Sequence, residues 1–227
     1  MNIDRTTRQH RNRNIVLKTV SLAIASLAIA VALLVGDKKQ SNSQLDRYIQ
    51  TIDRSLFRSG DLIFRQGNGV LSQAVRSRDR ASEFSHVGIV KVIENQPYVI
   101  HASIGEPVGT NAVVKMETLA DYLQDSTSVV GLYRLKTENA ALAVGAADLA
   151  YQYSLEQIPF DSQFSLKSED KFYCTELVWK VYLKRGLDLV DKTFTQLSFP
   201  FDREAYILPS GLIASQYIQE VARFQLP

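Results

Sequence analysis

The sequence is poor in the side chains that staple folds and bind metals: it has one cysteine, Cys174, and three histidines, His10, His86 and His101. A single thiol excludes an intramolecular disulfide, so the fold must hold through its core, and 227 residues are enough to build one. It also excludes a zinc cluster built on cysteines, and three histidines leave little for a multi-histidine site, so no metal or cofactor is expected. Internal repeats and low-complexity tracts are absent. A strong net charge is absent too: the formal value is +2, unevenly placed. Arg5, Arg8, Arg11, Arg13 and Lys18 against Asp4 give residues 1–36 a balance of +4, which leaves −2 for residues 37–227. A slightly acidic body offers no basic face, and no nucleic-acid partner is expected. Hydrophobic residues make up 45% of the chain and charged residues 22%, an ordinary globular balance that argues against wholesale disorder.

What is present begins with an uncharged apolar run, Thr19–Val35 (TVSLAIASLAIAVALLV). Together with Ile15–Leu17, and with Lys18 placed to snorkel, it approaches the ~20 residues that cross a bilayer. The basic tail before it puts the N-terminus in the cytoplasm by the positive-inside rule, and the body outside it. A cleaved signal peptide shares this plan, but the small-x-small candidates, such as Ala28-Ile29-Ala30, lie inside the run with Val31–Val35 still to follow. No cysteine directly follows the run, so a bacterial lipoprotein anchor is excluded. The expected organisation is a cytoplasmic tail (1–18), a single-pass signal-anchor (19–35), a polar linker (36–43) and one extracytoplasmic domain (44–227).

Within that domain, Leu45, Ile49, Ile52 and Leu56 recur at helical spacing, which predicts an amphipathic helix over residues 44–57. Ser59-Gly60-Asp61 reads as a turn, Leu62–Arg65 as a strand, Val70–Val75 as a helical turn and Arg76–Arg80 as a polar loop. His86–Ile93 and Tyr98–Ala102 are β-branched runs separated by a hairpin break at Glu94-Asn95-Gln96-Pro97. Ala112–Lys115 suggests another strand, Glu117–Leu123 a short helix, Val129–Leu135 a strand and Asn139–Tyr153 an Ala-rich helix. Lys171–Lys184 reads as a helix stopped by Gly186, and the remainder, with Pro200, Pro209 and Gly211, as surface loops. A helix, clustered strands and then helices predict an α+β domain rather than alternating βαβ units.

The chemistry centres on Cys174. It opens a helical pattern, so free backbone N–H groups and the positive end of the helix dipole face it. Both favour the nucleophilic thiolate, and the same N–H groups could hold an oxyanion. His86, at the start of its strand, is the residue type that serves a cysteine as base. His101 closes the return strand and would complete a triad as the group that orients the base. Whether the two histidines share a face depends on the turn, because a one-residue slip flips the side chain. Glu94, Glu106, Asp161 and Glu176 are alternatives for the orienting role, and Tyr173 and Glu176, beside the cysteine, are candidate substrate contacts.

Four segments taken in order carry a family resemblance: Gly60-Asp61-Leu62-Ile63-Phe64, Ser85-His86-Val87-Gly88-Ile89, Val99-Ile100-His101-Ala102 and Tyr173-Cys174-Thr175-Glu176-Leu177-Val178. The first three resemble the successive strands of NlpC-like papain-fold cell-wall peptidases. In those enzymes the cysteine helix precedes the strands; here it follows them, the order of the circularly permuted branch. The chain most resembles YiiX-type permuted papain-like amidases over about residues 59–215. That resemblance implies a circularly permuted papain-like fold, with the cysteine helix packed on an antiparallel sheet. It also implies Cys174 as nucleophile, His86 as base and His101 as the third, polar member. The third position is often Glu in YiiX-type proteins, and His101 departs from that. The motif of the related lecithin–retinol-acyltransferase-like enzymes, Asn-Cys-Glu-His, is not matched by Tyr173-Cys174-Thr175-Glu176.

The expected activity is hydrolysis of an amide or related acyl bond through an acyl-thioester. Cell-wall peptides, N-acyl amino acids or lipid-linked amides close to the membrane are the expected substrates. The rival readings are acyl transfer or lipid-ester cleavage at the same site, and a non-catalytic binding module on the same frame. The N-terminal reading predicts that residues 19–35 stay attached: N-terminal sequencing of the mature protein should return a start before residue 19, whereas a start near residue 37 marks a cleaved signal.

Overall fold

A computed structural model describes residues 44–105, 111–136, 140–191, 194–196 and 205–227. The chain divides into two units, Met1–Arg47 and Tyr48–Pro227. The expected signal-anchor at 19–35 lies outside the described residues. Among those described, no helix is long and apolar enough to cross a membrane. Residues 44–51 are helical (α1), and the predicted helix over 44–57 ends early. Asp53 breaks it by accepting the Ser55 N–H and capping a 3-10 turn, Arg54–Leu56, after which Phe57 rather than Leu56 is buried.

The second unit is built on a six-stranded antiparallel sheet. Its strands are β1 (Leu62–Gly67), β2 (His86–Ile93), β3 (Gln96–Ala102), β4 (Val114–Thr118), β5 (Ser126–Leu135) and β8 (Ile218–Gln225), in the order β4-β3-β2-β1-β5-β8. Two short strands, β6 (Thr195–Gln196) and β7 (Ala205–Tyr206), pair separately. The helices are α2 (Val70–Arg78), α3 (Leu119–Gln124), α4 (Ala140–Leu155), α5 (Cys174–Leu183) and α6 (Pro209–Ile213). Because strand side chains alternate, each face collects its own set. Leu62, Phe64, Val87, Ile89, Ile100 and Ala102 join one core cluster with Ala146, Ala147 and Ala150 of α4 and Leu177, Val178 and Val181 of α5. Ile63, Val90, Val99 and Leu132, also fully buried, have the opposite parity, and α3 contributes buried Leu119, Tyr122 and Leu123.

The α+β architecture agrees with the sequence expectation, with local differences besides the shortened α1, among them a short helix, α6, within residues expected as loops. Helix α2 continues through Arg76 and Arg78, which the sequence suggested as loop. The hairpin break is only Glu94-Asn95, so Gln96 and Pro97 belong to β3. Glu117 lies in β4 and not in a helix, because Thr118 is the residue that caps α3, its hydroxyl accepting the Asp121 N–H at 3.1 Å. Residues 218–225, expected as loop, form edge strand β8, whose residues after Ile218 are only partly buried or exposed.

The Gly60-Asp61 pair has a structural explanation. Gly60 adopts φ +94°, and a Cβ there would lie 2.5 Å from the Cβ and carbonyl oxygen of Ala143, so α4 can sit this close only on a glycine. Its carbonyl accepts the Tyr182 hydroxyl, tying α5 to the start of β1. Asp61, 1% exposed, receives Arg134 in a two-pronged pair, Nε–Oδ1 and Nη2–Oδ2 both 2.7 Å, and also accepts the Arg58 N–H at 2.8 Å. Truncating one partner of such a pair strands the other charge. Asp61→Ala should therefore destabilise the domain by about 3 kcal/mol, read from the midpoint of urea unfolding; a loss within about 0.5 kcal/mol would contradict this account.

Candidate active site

Helix α5 begins at Cys174 itself, with extended Tyr173 as N-cap. The N–H groups of Cys174, Thr175 and Val87 lie near enough to the sulfur to favour its ionised form. Two of these are the unpaired donors of a first helical turn, and the third belongs to the strand residue that follows His86. Cys174 is half-buried and, with His86, lines a cavity of about 500 Å3. The cavity lies where β1, β2 and β3 end, between α2 and the N-terminus of α5. Its walls are largely apolar, with Val70, Leu71, Val75, Ile104, Phe160 and Phe164 among them, and Val70 is 83% exposed.

The hairpin register decides where the histidines point. Ile89 pairs with Ile100, so the next positions inward are Gly88 and His101, and His86 stands two residues beyond Gly88 on the same face. The two rings meet edge to face, with His86 Nε2 2.8 Å from His101 Nδ1. His101, 1% exposed, places its other nitrogen, Nε2, 2.9 Å from Glu117 Oε2, and Glu117 is also paired with Lys115. Tyr122 lies against both imidazoles, its ring 5.9 Å from His86 and 5.1 Å from His101. The Arg65 guanidinium stacks 4.4 Å over the other part of this assembly, the Tyr122 ring. The structure thus brings Cys174, His86 and His101 to one place.

The residues weighed as alternatives lie elsewhere. Asp161 is fully buried and holds its own loop, accepting the N–H groups of Gln163 and Ser165 and pairing with Lys171. Glu94 occupies the hairpin turn, and Glu106 lies outside the described residues. Tyr173 does line the cavity, and its hydroxyl accepts the Ile207 N–H at 3.0 Å, so it also braces the segment ahead of α6. Glu176 is fully buried and is not part of the cavity wall; its Oε2 reaches back to the Tyr173 N–H and its Oε1 has no partner. Sequence reading missed Glu117. The signal that would have found it is the parity of a strand continued two residues past Lys115.

Burial dominates the protonation of the site. It pushes the Cys174 thiol above its ordinary value, and the three N–H groups and Arg65 recover only part of that cost. The thiolate expected from the helix terminus alone is therefore not the resting form. Burial, followed by the positive charges of Arg65, His101 and Lys115, holds His86 well below the usual imidazole range. His101 is also lowered, chiefly by burial and against the pull of Glu117. Burial opposes ionisation of Glu117 too, but its bonds to His101 and Lys115 win and hold it at about 2, as a carboxylate.

Residues 57–220 match the family described as permuted papain-like amidase enzyme, YaeF/YiiX, C92 family, and the chain belongs to that family. It is 29% identical over 126 residues to the uncharacterized protein YiiX of Escherichia coli (strain K12), a match covering 55% of this chain and 56% of that protein. The chain thus spans little more than half the length of the curated relative it matches. A crystal structure described as metalloprotein yiiX from Escherichia coli O157:H7 shares the fold, with a TM-score of 0.62, 23% identity, 74% of this chain and 97% of the other covered.

The partnerless Glu176 Oε1 generates a stability prediction. Burial raises Glu176 to about 8, against an ordinary 4.5, so the folded state binds a proton there that the unfolded state releases between those values. Stability should fall as pH rises from about 4.5 through 8. Glu176→Gln keeps the shape without the ionisation, and should melt at a higher temperature than the native protein at pH 9 and lose that part of the pH dependence. Equal melting temperatures at pH 9 would contradict it.

Proposed function

We propose that this chain is a cysteine amidase that hydrolyses an amide or related acyl bond through a thioester on Cys174. One observation carries the reading: the chain's only thiol, at the first position of a helix, shares a cavity with His86, which is hydrogen-bonded to His101. In the acylation step the Cys174 sulfur attacks the amide carbonyl while His86 takes the thiol proton. The N–H groups of Cys174 and Thr175 are the donors for the oxyanion. Collapse forms the thioester, breaks the C–N bond and passes the proton from His86 to the leaving amine. Water, deprotonated by His86, then releases the carboxylic acid and restores the thiol. His101 orients His86 throughout.

Cell-wall peptides, N-acyl amino acids and lipid-linked amides remain the proposed substrates. The apolar run at 19–35 is proposed to hold the domain on the extracytoplasmic side of a membrane, near such substrates. A second reading, acyl transfer or lipid-ester cleavage by the same nucleophile, draws on the apolar cavity walls. Product analysis with and without an added amine or alcohol separates the two.

The structural neighbour is described as a metalloprotein, which raises the question of metal at this site. The donors here do not fit one. His86 and His101 direct facing nitrogens at each other, His101 gives its second nitrogen to Glu117, and no group of three or more His, Cys, Asp or Glu side chains converges among the described residues.

On a panel of acyl-amide and acyl-ester substrates, Cys174→Ser should lose about 10³-fold or more in turnover and His86→Ala nearly as much, because nucleophile and base act as a unit. His101→Ala should lose about 10-fold. Undiminished turnover by Cys174→Ser would overturn the cysteine mechanism. The pH profile follows from the resting pair. His86 is the active base only when neutral, and its value lies below the ordinary 6.5, so the acid limb of kcat/KM should fall below pH 6.5. The thiol lies above its ordinary 9.0, so any change from its ionisation should appear only above pH 9. Half-maximal activity on the acid side at or above pH 6.5 would contradict this assignment.

A further inference from the structure

The hydrogen-bond chain behind the base does not end at the histidine pair, and its far end determines which way the pair is wired. A carboxylate can only accept, so the His101 Nε2 beside Glu117 must carry the proton. A neutral His101 then presents Nδ1 as a lone pair, and His86 Nε2, 2.8 Å away, must be the donor. That leaves Nδ1 as the one basic nitrogen of His86 available to the Cys174 thiol, with which it shares the cavity. With the opposite tautomers, His86 would offer its lone pair to His101 and present a useless N–H to the thiol.

We propose that Glu117 is the positioning residue of this site: through His101 it fixes the tautomer of His86 and steadies the imidazolium that forms when His86 takes the Cys174 proton. The proposal rests on the cysteine-amidase reading for its catalytic consequence. The proton stays on His86 and moves no further, since Nε2–H already donates to His101 when Nδ1 becomes protonated. No bond along the relay has to break or reverse.

The charges around the pair make the need for a carboxylate concrete. Arg65 from β1 and Lys115 from β4 are both positive influences on the two imidazoles, and Tyr122 from α3 lies against their rings without charge. Asp125, about half exposed, is taken up by Arg65 at 3.3 Å. Glu117 is therefore the anion bonded directly to the pair, inside a region that otherwise opposes a positive His86. Its position follows from strand pairing: Glu117 pairs with Val99 and Lys115 with His101, so Glu117 and His101 are diagonal neighbours on one face.

The test uses the full chain, with readouts that a merely structural role would not move. Histidine labelled with 15N reports ring tautomers directly, and with three histidines the assignment needs only His86→Ala and His101→Ala. The native protein should show Nε2–H tautomers for both His86 and His101. Glu117→Leu should convert them to mixtures. Alkylation of Cys174, the only thiol, by iodoacetamide at pH 7 should slow about 10-fold in Glu117→Gln, which retains an acceptor but no charge, with an unchanged melting temperature. Unchanged tautomers in Glu117→Leu, or an alkylation rate within about twofold of native in Glu117→Gln, would overturn the proposal. Should Glu117→Leu fail to fold, the Glu117→Gln rate and ring signals decide alone. Failure of the underlying reading looks different: Cys174→Ser would keep its turnover while the tautomers still responded to Glu117.

Discussion

The site depends on one local constraint, the two-residue turn at Glu94-Asn95. Both residues take positive φ, 50° and 62°, the conformation of a tight hairpin whose twist matches that of its strands. This turn sets Ile93 against Gln96 and, at the far end of the hairpin, decides that Gly88 faces His101. One residue more or less would send His101 through to the helix-packed face, among Ile100 and Ala102, and leave His86 without a partner. Gly88 contributes as well: a Cβ there would come within 2.4 Å of a Val99 methyl and 3.1 Å of the Ile100 carbonyl, so the strands approach as they do because that position is bare. The chemistry at one end of the hairpin is thus set by backbone geometry at the other.

How much of this was legible in the sequence follows from the range of each signal. The strand runs at His86–Ile93 and Val99–Ala102 and the helix opening at Cys174 are patterns a few residues long, and each emerged nearly in place. Their order along the chain was enough to indicate a permuted papain-like domain. Glu117 was not legible because its neighbours conceal it. Thr118, Leu119, Ala120 and Asp121 form a helix start with a capping threonine, and a glutamate just ahead of them reads as part of that start. The strand simply runs into the cap, and only pairing with β3, a contact between distant segments, shows that Glu117 belongs to the sheet. Strand β8 was missed for a related reason: at the edge of the sheet it buries little, so its alternation is weak.

The protonation of the cysteine shows a different kind of limit. A helix N-terminus does bring N–H groups near Cys174, as its place in the sequence implied, but sequence does not disclose how dry the surroundings are. In the folded domain desolvation outweighs those donors, and burial also keeps His86 neutral. A neutral thiol beside a neutral imidazole is an unreactive resting pair. In the proposed mechanism it becomes reactive when proton transfer and attack occur together, with the charge that develops on His86 met by a partner already in position. A wet, exposed site would have less need of such a partner, since water would stabilise the imidazolium.

This division of labour separates the rigid parts of the site from the variable ones. Cys174 sits on a helix fixed at several points: the Tyr182 hydroxyl bonds to Gly60, the Thr175 hydroxyl donates to the Ile207 carbonyl at 2.6 Å, and the Trp179 indole donates to Asp188 at 2.9 Å. The histidine pair and Glu117 sit on three adjacent strands with Tyr122 against the rings, so the reacting groups are referenced to the sheet. The cavity wall opposite them is different. Helix α2 has no buried residue, and it enters from Gly69, around which a Cβ would meet nothing within 4 Å. Precision is needed where bonds change, and that is where the packing is dense. The rest of the cavity wall comes from α2 and the segments around Phe164 and Ile207, which can vary in sequence without disturbing the strand register that positions the histidines.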